Sequence, residues 1–324
     1  MARPFAVLTA VSALLFAAAC GGSSDSPGSS DSSPGDEGTT KVTVGVIPIV
    51  DVAPIYLGKE KGFFASRGID LTMQTAQGGA AIVPGVLSGE FQFGFSNVTS
   101  LLIAQSKGVP IKVVANGVAS TGQPGADFGA VAVKGDSTIQ SAKDFAGKKV
   151  AVNTLQNIGD TVIREAVRKA GGDPAAVNFV EMGFPQMPAA LAAGQIDAAF
   201  AVEPTLSTIK AQGGRPVSWV YADAAPNLTV AVYFTSIKLL GENPELATRF
   251  TEAMNESLAY ADAHPDEVRK VITTYTKIDP KIVDTLTLPK WPTEINRASV
   301  EKLAALGQGD GIFEKAPELD KILP

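Results

Sequence analysis

Two copies of one strand pattern, set at nearly constant spacing, limit what this chain can build. Lys41-Val42-Thr43-Val44 and Lys149-Val150-Ala151-Val152 stand 108 positions apart, and Asp70-Leu71-Thr72 and Asn178-Phe179-Val180 keep that offset. Further on, SGEFQFGF at Ser88–Phe95 matches AGQIDAAF at Ala193–Phe200, now 105 apart. Both copies put a glycine at a helix end and a phenylalanine at a strand end. Ordered matches of this kind predict two similarly wound lobes.

Around these matches, short apolar runs alternate with helix-favouring segments. Strands are expected at 41–48, 69–75, 91–95, 111–115, 128–133, 149–152, 177–181, 196–202 and 229–235. Helices are expected at 53–66, 80–87, 97–107, 160–170 and 188–193, with a new one starting at Pro204. The alternation gives an α/β class with mostly parallel sheets. Beyond residue 235 only helices follow, at 244–263, 266–276, 280–286 and 298–306. Having no strands of their own to cover, they are expected to pack back on the first lobe. The second lobe is then an insertion, and the chain crosses between lobes near Val131 and Val230, giving lobe I as 41–131 with 232–324 and lobe II as 132–231. Two crossings make a hinge over a cleft.

The amino terminus carries a different signal. An apolar run over Phe5–Ala19 follows Arg3, is too short to span a bilayer comfortably, and ends at Ala17-Ala18-Ala19-Cys20-Gly21. Residues 1–20 therefore read as a signal peptide of lipoprotein type, with Cys20, the chain's one cysteine, as the lipidated residue. Residues 21–40 contain no large apolar side chain and read as a tether, with an end-to-end distance on the order of 25 Å. These features place the chain outside the cytoplasm, anchored to a bacterial cell membrane through lipid alone.

Composition removes several function classes. A net charge of −6 with no Lys/Arg cluster argues against nucleic acid. One cysteine and one histidine, His264, leave no disulfide framework, no structural zinc site and no Cys–His pair with a second candidate for its base. No metal and no cofactor are expected.

The segments Tyr56–Leu71 (YLGKEKGFFASRGIDL), Gly78–Leu102 (GGAAIVPGVLSGEFQFGFSNVTSLL), Lys143–Thr154 (KDFAGKKVAVNT) and Ala190–Pro204 (ALAAGQIDAAFAVEP) resemble the solute-binding lipoproteins of ABC importers in the nitrate/sulfonate/taurine group. The resemblance implies a two-lobed periplasmic-binding-protein fold of type II, with helices flanking the sheets and a ligand cleft between the lobes. It also implies a monomer that delivers solute to an ABC permease and its ATPase. In such a fold the strand-to-helix loops line the cleft. The candidate ligand contacts are therefore Asp51, Val52, Gly79, Ser96, Asn97, Thr99, Thr121, Thr154, Asn157, Asp160, Phe184, Pro185 and Glu203. Each has a structural alternative. Ser96, Asn97 and Asp160 can cap helices, Gly79 can serve a tight turn, Phe184 can be core, and Glu203 can serve a helix start or touch the other lobe.

None of these loops carries Lys or Arg, while Asp51, Asp160 and Glu203 bring carboxyls; Arg164, one turn into the helix after Asp160, can reach in or face solvent. That chemistry suits a monoanion, a zwitterion or a polar heterocycle better than a dianion. The reading is a binding protein, not an enzyme, that captures a small sulfonate, a nitrate-like or a related organic ligand by lobe closure. The alternatives are a ligand-sensing lipoprotein without transport, or a pyrimidine-precursor or menaquinone-pathway enzyme on the same scaffold.

Overall fold

The computed structural model describes residues 39–324. The expected signal peptide, Cys20 and most of the tether lie outside the described residues. The tether's expected last residue, Thr40, is already the first residue of a strand and pairs with Ile69.

Along the chain, β1 (Thr40–Val46), α1 (Ala53–Glu60), β2 (Ile69–Thr75), α2 (Gly79–Ser88), β3 (Phe93–Asn97), α3 (Val98–Ser106) and β4 (Ile111–Ala119) come first. Then follow β5 (Gly129–Val133), β6 (Lys149–Val152), α4 (Ile158–Lys169), β7 (Asn178–Glu181), α5 (Met187–Ala192), β8 (Ala198–Val202), α6 (Thr205–Ala211), β9 (Arg215–Ser218) and α7 (Val220–Ala224). The chain closes with β10 (Thr229–Ser236), α8 (Ile237–Glu242), α9 (Pro244–Ala263), α10 (Pro265–Tyr275), α11 (Arg297–Gly309) and α12 (Leu319–Ile322).

The strands form two five-stranded sheets, ordered β2-β1-β3-β10-β4 and β7-β6-β8-β5-β9. Position by position the two orders match, with one exchanged strand in the fourth place of each. The repeat is also kept in register: Lys41 pairs with Asp70, and Lys149 with Asn178. Gly89 and Gly194, the helix-end glycines of the two copies, both follow their helices in left-handed backbone, with φ of 83° and 69°. A side chain is disfavoured there, so the glycine is what lets each helix stop and turn into its next strand.

Each sheet is mixed rather than mostly parallel. β1 runs parallel to β2 and β3, and β6 to β7 and β8; β10 runs antiparallel to β3 and β4, and β5 antiparallel to β8 and β9. The antiparallel members are the strands that enter each sheet from the other lobe. The expected boundaries at 131/132 and 231/232 consequently cut through strands. β5 pairs only within the second sheet and β10 only within the first, so the crossings lie before Gly129 and between Ala224 and Thr229.

Three local features differ from expectation. The first helix stops at Glu60, and Gly62 at φ 79° reverses the chain before a short 3-10 turn. Pro204 is the N-cap of α6 rather than its first residue. The edge strand β9, whose sequence RPVS carries a proline, and the short helix α7 have no periodic signal.

In the first lobe, α9 lies over the sheet along an aromatic seam. Phe250 stacks on Phe93 with ring centroids 3.8 Å apart and planes 4° from parallel, and Phe64 and Tyr233 pack against the same ring. The late helices do pack on the first lobe, but the C-terminal segment also reaches the second. The Thr287 N–H donates to Glu203, and α11 lies against α4. Replacing Phe250, which is fully buried, with alanine should cost about 3–5 kcal/mol of folding stability. Urea unfolding of Phe250→Ala measures it; a loss under about 1 kcal/mol would mean α9 is not pinned through this ring.

Candidate functional site

β1, β3, β6 and β8 end at the junction of the lobes, and the residues just past them make the contacts there. From β1 the chain enters a 3-10 turn at Val50–Val52 and then α1, so Asp51 sits at a strand-to-helix turn. Across the junction, the Val50 N–H donates to the Glu203 carbonyl at 3.0 Å. From β3, Asn97 caps α3 by accepting from the Ser100 N–H, and the Ser100 hydroxyl donates across the junction to Asn157 at 3.1 Å. Asn157 in turn caps α4. Gly78 faces the second lobe so closely that a Cβ on it would come 2.7 Å from the Thr154 hydroxyl. Any side chain at position 78 would hold the two loops apart.

A cavity of about 380 Å³ opens between the lobes. Its walls are Ile47–Ile49 and Thr75–Gln77 from the first lobe and Gly183–Gln186 from the second. Phe184 forms its buried wall, packed toward Phe200, with Pro185 beside it.

Beside this cavity the interior is aromatic and polar. Asp51 is 2% exposed, and its Oδ1 has no hydrogen-bond partner. Burial pushes its carboxyl up to about 8, and the nearby Asp127 carboxyl adds to the shift. The hydroxyls of Tyr221, Tyr233 and Tyr275 lie near enough to feel the Asp51 charge, and burial drives all three well above the usual tyrosine range. Tyr56 stacks on Tyr275 with centroids 4.0 Å apart and planes 8° from parallel. The Tyr275 hydroxyl donates to the Ile49 carbonyl, and the Trp291 indole N–H donates to the Asp51 carbonyl. Two more buried hydroxyls, of Thr99 and Tyr233, also lack partners. Three of the chain's five tyrosines thus lie around one carboxyl, and a fourth, Tyr56, stacks on one of them.

The other expected residues divide by how their polar groups are used. Val52 is buried beneath Asp51 in the same turn. Gly79 lies against Ser96, and the Ser96 hydroxyl donates to the Asn97 carbonyl, so both serve the turn itself. Thr121 folds into its own crossing loop: its N–H donates to Asp127 and its hydroxyl to the Ala126 carbonyl. Asp160, in the first turn of α4, accepts from the Gln156 N–H just before the helix while its Oδ1 stays buried without a partner; burial raises its carboxyl to about 6. Arg164 does not reach in, since it donates to the Pro174 carbonyl and lies over the Phe179 ring. Glu203 is fully buried, and its carboxyl accepts from the Ser207 N–H, the Ser207 hydroxyl and the Thr287 N–H. These donors oppose the burial that raises its carboxyl, and they tie the second lobe to the C-terminal segment.

Sequence reasoning reaches Asp51 but not its surroundings. Tyr275 comes from an expected helix, Tyr221 and Trp291 from stretches given no element, and Asp127 from a turn-rich loop. A usable signal was their scarcity: five Tyr and two Trp stand out in a chain with 7% aromatic residues. Among the described residues no group of three or more His, Cys, Asp or Glu is placed to hold a metal ion, and no helix is long and apolar enough to cross a membrane.

The family model described as NMT1/THI5 like matches residues 49–268, more than half of the chain. The chain belongs to the NMT1/THI5-like family. It is similar to a binding protein of Brucella abortus, at 26% identity over 231 residues, covering 71% of this chain and 69% of that one. It is similar to the 4-amino-5-hydroxymethyl-2-methylpyrimidine phosphate synthase THI5 of Saccharomyces cerevisiae, at 24% identity, covering 65% and 64%. The formylaminopyrimidine-binding protein of Halalkalibacterium halodurans matches at 22% identity, covering 84% and 79%. Among solved structures, the alkanesulfonate-binding protein SsuA of Xanthomonas axonopodis superposes with a TM-score of 0.74 at 16% identity, covering 89% of this chain and 99% of that one. The fold is therefore the two-lobed periplasmic-binding-protein fold of type II.

Asp51 makes a pH signature. Its carboxyl is raised in the folded chain, so between about pH 4 and 8 the folded state holds a proton that the unfolded chain has released, and this contribution to stability falls as pH rises. Asp51→Asn removes that contribution. The stability difference, variant minus wild type, should grow in the variant's favour from about pH 4 to 8 and then level, as read by urea unfolding across that range. A difference that does not change with pH would mean the carboxyl is not held neutral.

Proposed function

We propose that this chain is an extracytoplasmic solute-binding protein of an ABC importer, lipid-anchored through Cys20, which captures a small polar heterocycle between its lobes. One observation carries the ligand class: a buried carboxyl with no cation facing it, ringed by tyrosines. A neutral carboxyl offers an O–H donor and a C=O acceptor side by side, which matches a ring nitrogen next to an N–H. Tyrosine rings supply flat apolar walls for such a ring. Asp51, Thr99 and Phe184 are then the ligand contacts with most to gain, since two of them carry unpartnered polar atoms. Pro185 and Thr154 form the rim, with Asn97 and Asn157 drawing the lobes together.

A sulfonate or nitrate is served less well. It would be buried where none of the lining loops supplies Lys or Arg. Were Asp51 ionised, repulsion at 4 Å would reach about 4 kcal/mol at an effective dielectric of 20. The similarity to the formylaminopyrimidine-binding protein supports the heterocycle over the anion.

The similarity to the yeast synthase raises a second reading, an enzyme on the same fold. The chain's one histidine does not favour it: His264 stacks on Tyr260 at the junction of α9 and α10, away from the cleft residues. Delivery to a permease and its ATPase as a monomer, rather than signalling, is part of the proposal; for the delivery, the similarity of fold to the ligand-binding component of an ABC-type import system from Staphylococcus aureus is the support.

A thermal-shift screen of the full chain tests the reading, with aminopyrimidines, other nitrogen heterocycles, taurine, alkanesulfonates, nitrate and aromatic acids. A ligand at a hundred times its dissociation constant stabilises by about 2.7 kcal/mol. Stabilisation by a heterocycle with no response to the anions is the expected result. A response to sulfonate or nitrate alone overturns the ligand class, and conversion of a stabilising heterocycle into product, read by mass spectrometry, overturns the binding-only role.

A further inference from the structure

Helix α4 is tied to the other lobe at both ends. At its N-terminus, Asn157 accepts from Ser100 at the cleft. At its other end four charges alternate in sign. Lys302 pairs with Glu165 at 3.4 Å, Glu165 with Arg168 at 2.6 Å, and Arg168 with Asp310. Glu165 and Arg168 belong to α4; Lys302 lies on α11 and Asp310 caps it.

α11 is fastened to the first lobe. The Thr229 N–H at the start of β10 donates to the Ser299 hydroxyl, and the Asn296 N–H donates to the Thr229 hydroxyl. The segment after α11 ends in α12, which packs on α3 and β4. Two of the three links in the charge chain therefore join the lobes, and the third passes the coupling along α4.

Exposure separates this cluster from ordinary surface pairs. The Glu165 and Asp310 side chains are 10% and 7% exposed, against 35% and 45% for Arg168 and Lys302. An exposed pair contributes little, but carboxylates this sheltered are screened less and lose more when a partner leaves. None of the four residues lines the cavity beside Asp51.

We propose that Lys302, Glu165, Arg168 and Asp310 form a clasp that holds the lobes together from outside the ligand cleft and so sets how often the cleft opens. The clasp rests on the reading that the lobes move. Given that motion, it controls ligand affinity without touching ligand, because apparent affinity scales with the population of the competent arrangement.

The test is a distance measurement by pulsed electron resonance on the full chain carrying Cys20→Ser. Nitroxides are placed at Leu87→Cys and Leu155→Cys, two exposed positions, one in each lobe. Wild type should show a dominant short distance and a minor long one. Asp310→Asn with Lys302→Met should raise the long-to-short ratio about five- to thirty-fold. In wild type, 1 M KCl, where the screening length is about 3 Å, should do the same in part, and it should add little in the double variant. Lys302→Arg, which keeps the charge, should leave the wild-type distribution. Lys302→Met alone, at a half-exposed position, guards against misfolding of the double variant. An unchanged ratio in both Met-bearing variants, with two distances in wild type, overturns the clasp and leaves lobe motion standing. A single distance in every variant and at every salt concentration overturns lobe motion and the clasp with it.

Discussion

Everything in this molecule depends on the two strands that change lobes. β10 and β5 each enter the fourth place of a sheet and lie antiparallel to both neighbours, so each is hydrogen-bonded on two sides in the lobe it joins. That makes the crossings firm where they arrive and leaves only short stretches before Gly129 and Thr229 to join the lobes. Asp127 braces the first of these, accepting from the Thr121 and Phe128 N–H groups and from the Ser120 hydroxyl. The strand ends of both lobes are thereby brought face to face, and the strand-to-helix turns become the walls of one cleft.

What the cleft can bind follows from what it leaves unpaired. A buried carboxyl without a cation is costly unless it is neutral, and the tyrosine hydroxyls around Asp51 cannot balance a full charge. Glu203, equally buried, shows the contrast: three protein donors meet its carboxyl and leave it a structural role at the same junction. Two acids at equivalent depth thus divide into one that fastens the lobes and one with capacity to spare. That division is what the proposed heterocycle, with its adjoining donor and acceptor, rests on.

The doubled architecture was readable in the residues because it is written in apolar runs and in glycines that must adopt left-handed backbone, Gly89 and Gly194 among them. That Asp51, Asn97, Asn157 and Phe184 sit at turns where a strand hands over to a helix followed from the order of strands and helices. The direction of β5 and β10 did not, because an apolar strand of TVAVYFT type reads the same whether its neighbours run with it or against it. Nor did the tyrosine ring, for its members come from α1, α7, β10 and α10 and are joined only by the fold. Glu203 was placed at the right junction, but its partner Thr287 lies 84 residues away in a segment without periodic signal.

The tyrosines also provide the most direct measurement. Three lie around Asp51 and Tyr56 stacks on one of these, while Tyr260 packs against Phe63 and His264 elsewhere. With 3-fluorotyrosine incorporated throughout the chain, fluorine resonances should move on saturation with whichever compound the thermal screen selects. If the cleft is the site, those of Tyr56, Tyr221, Tyr233 and Tyr275 shift and that of Tyr260 stays in place. Binding that moves the Tyr260 resonance, or none of the five, would contradict the account.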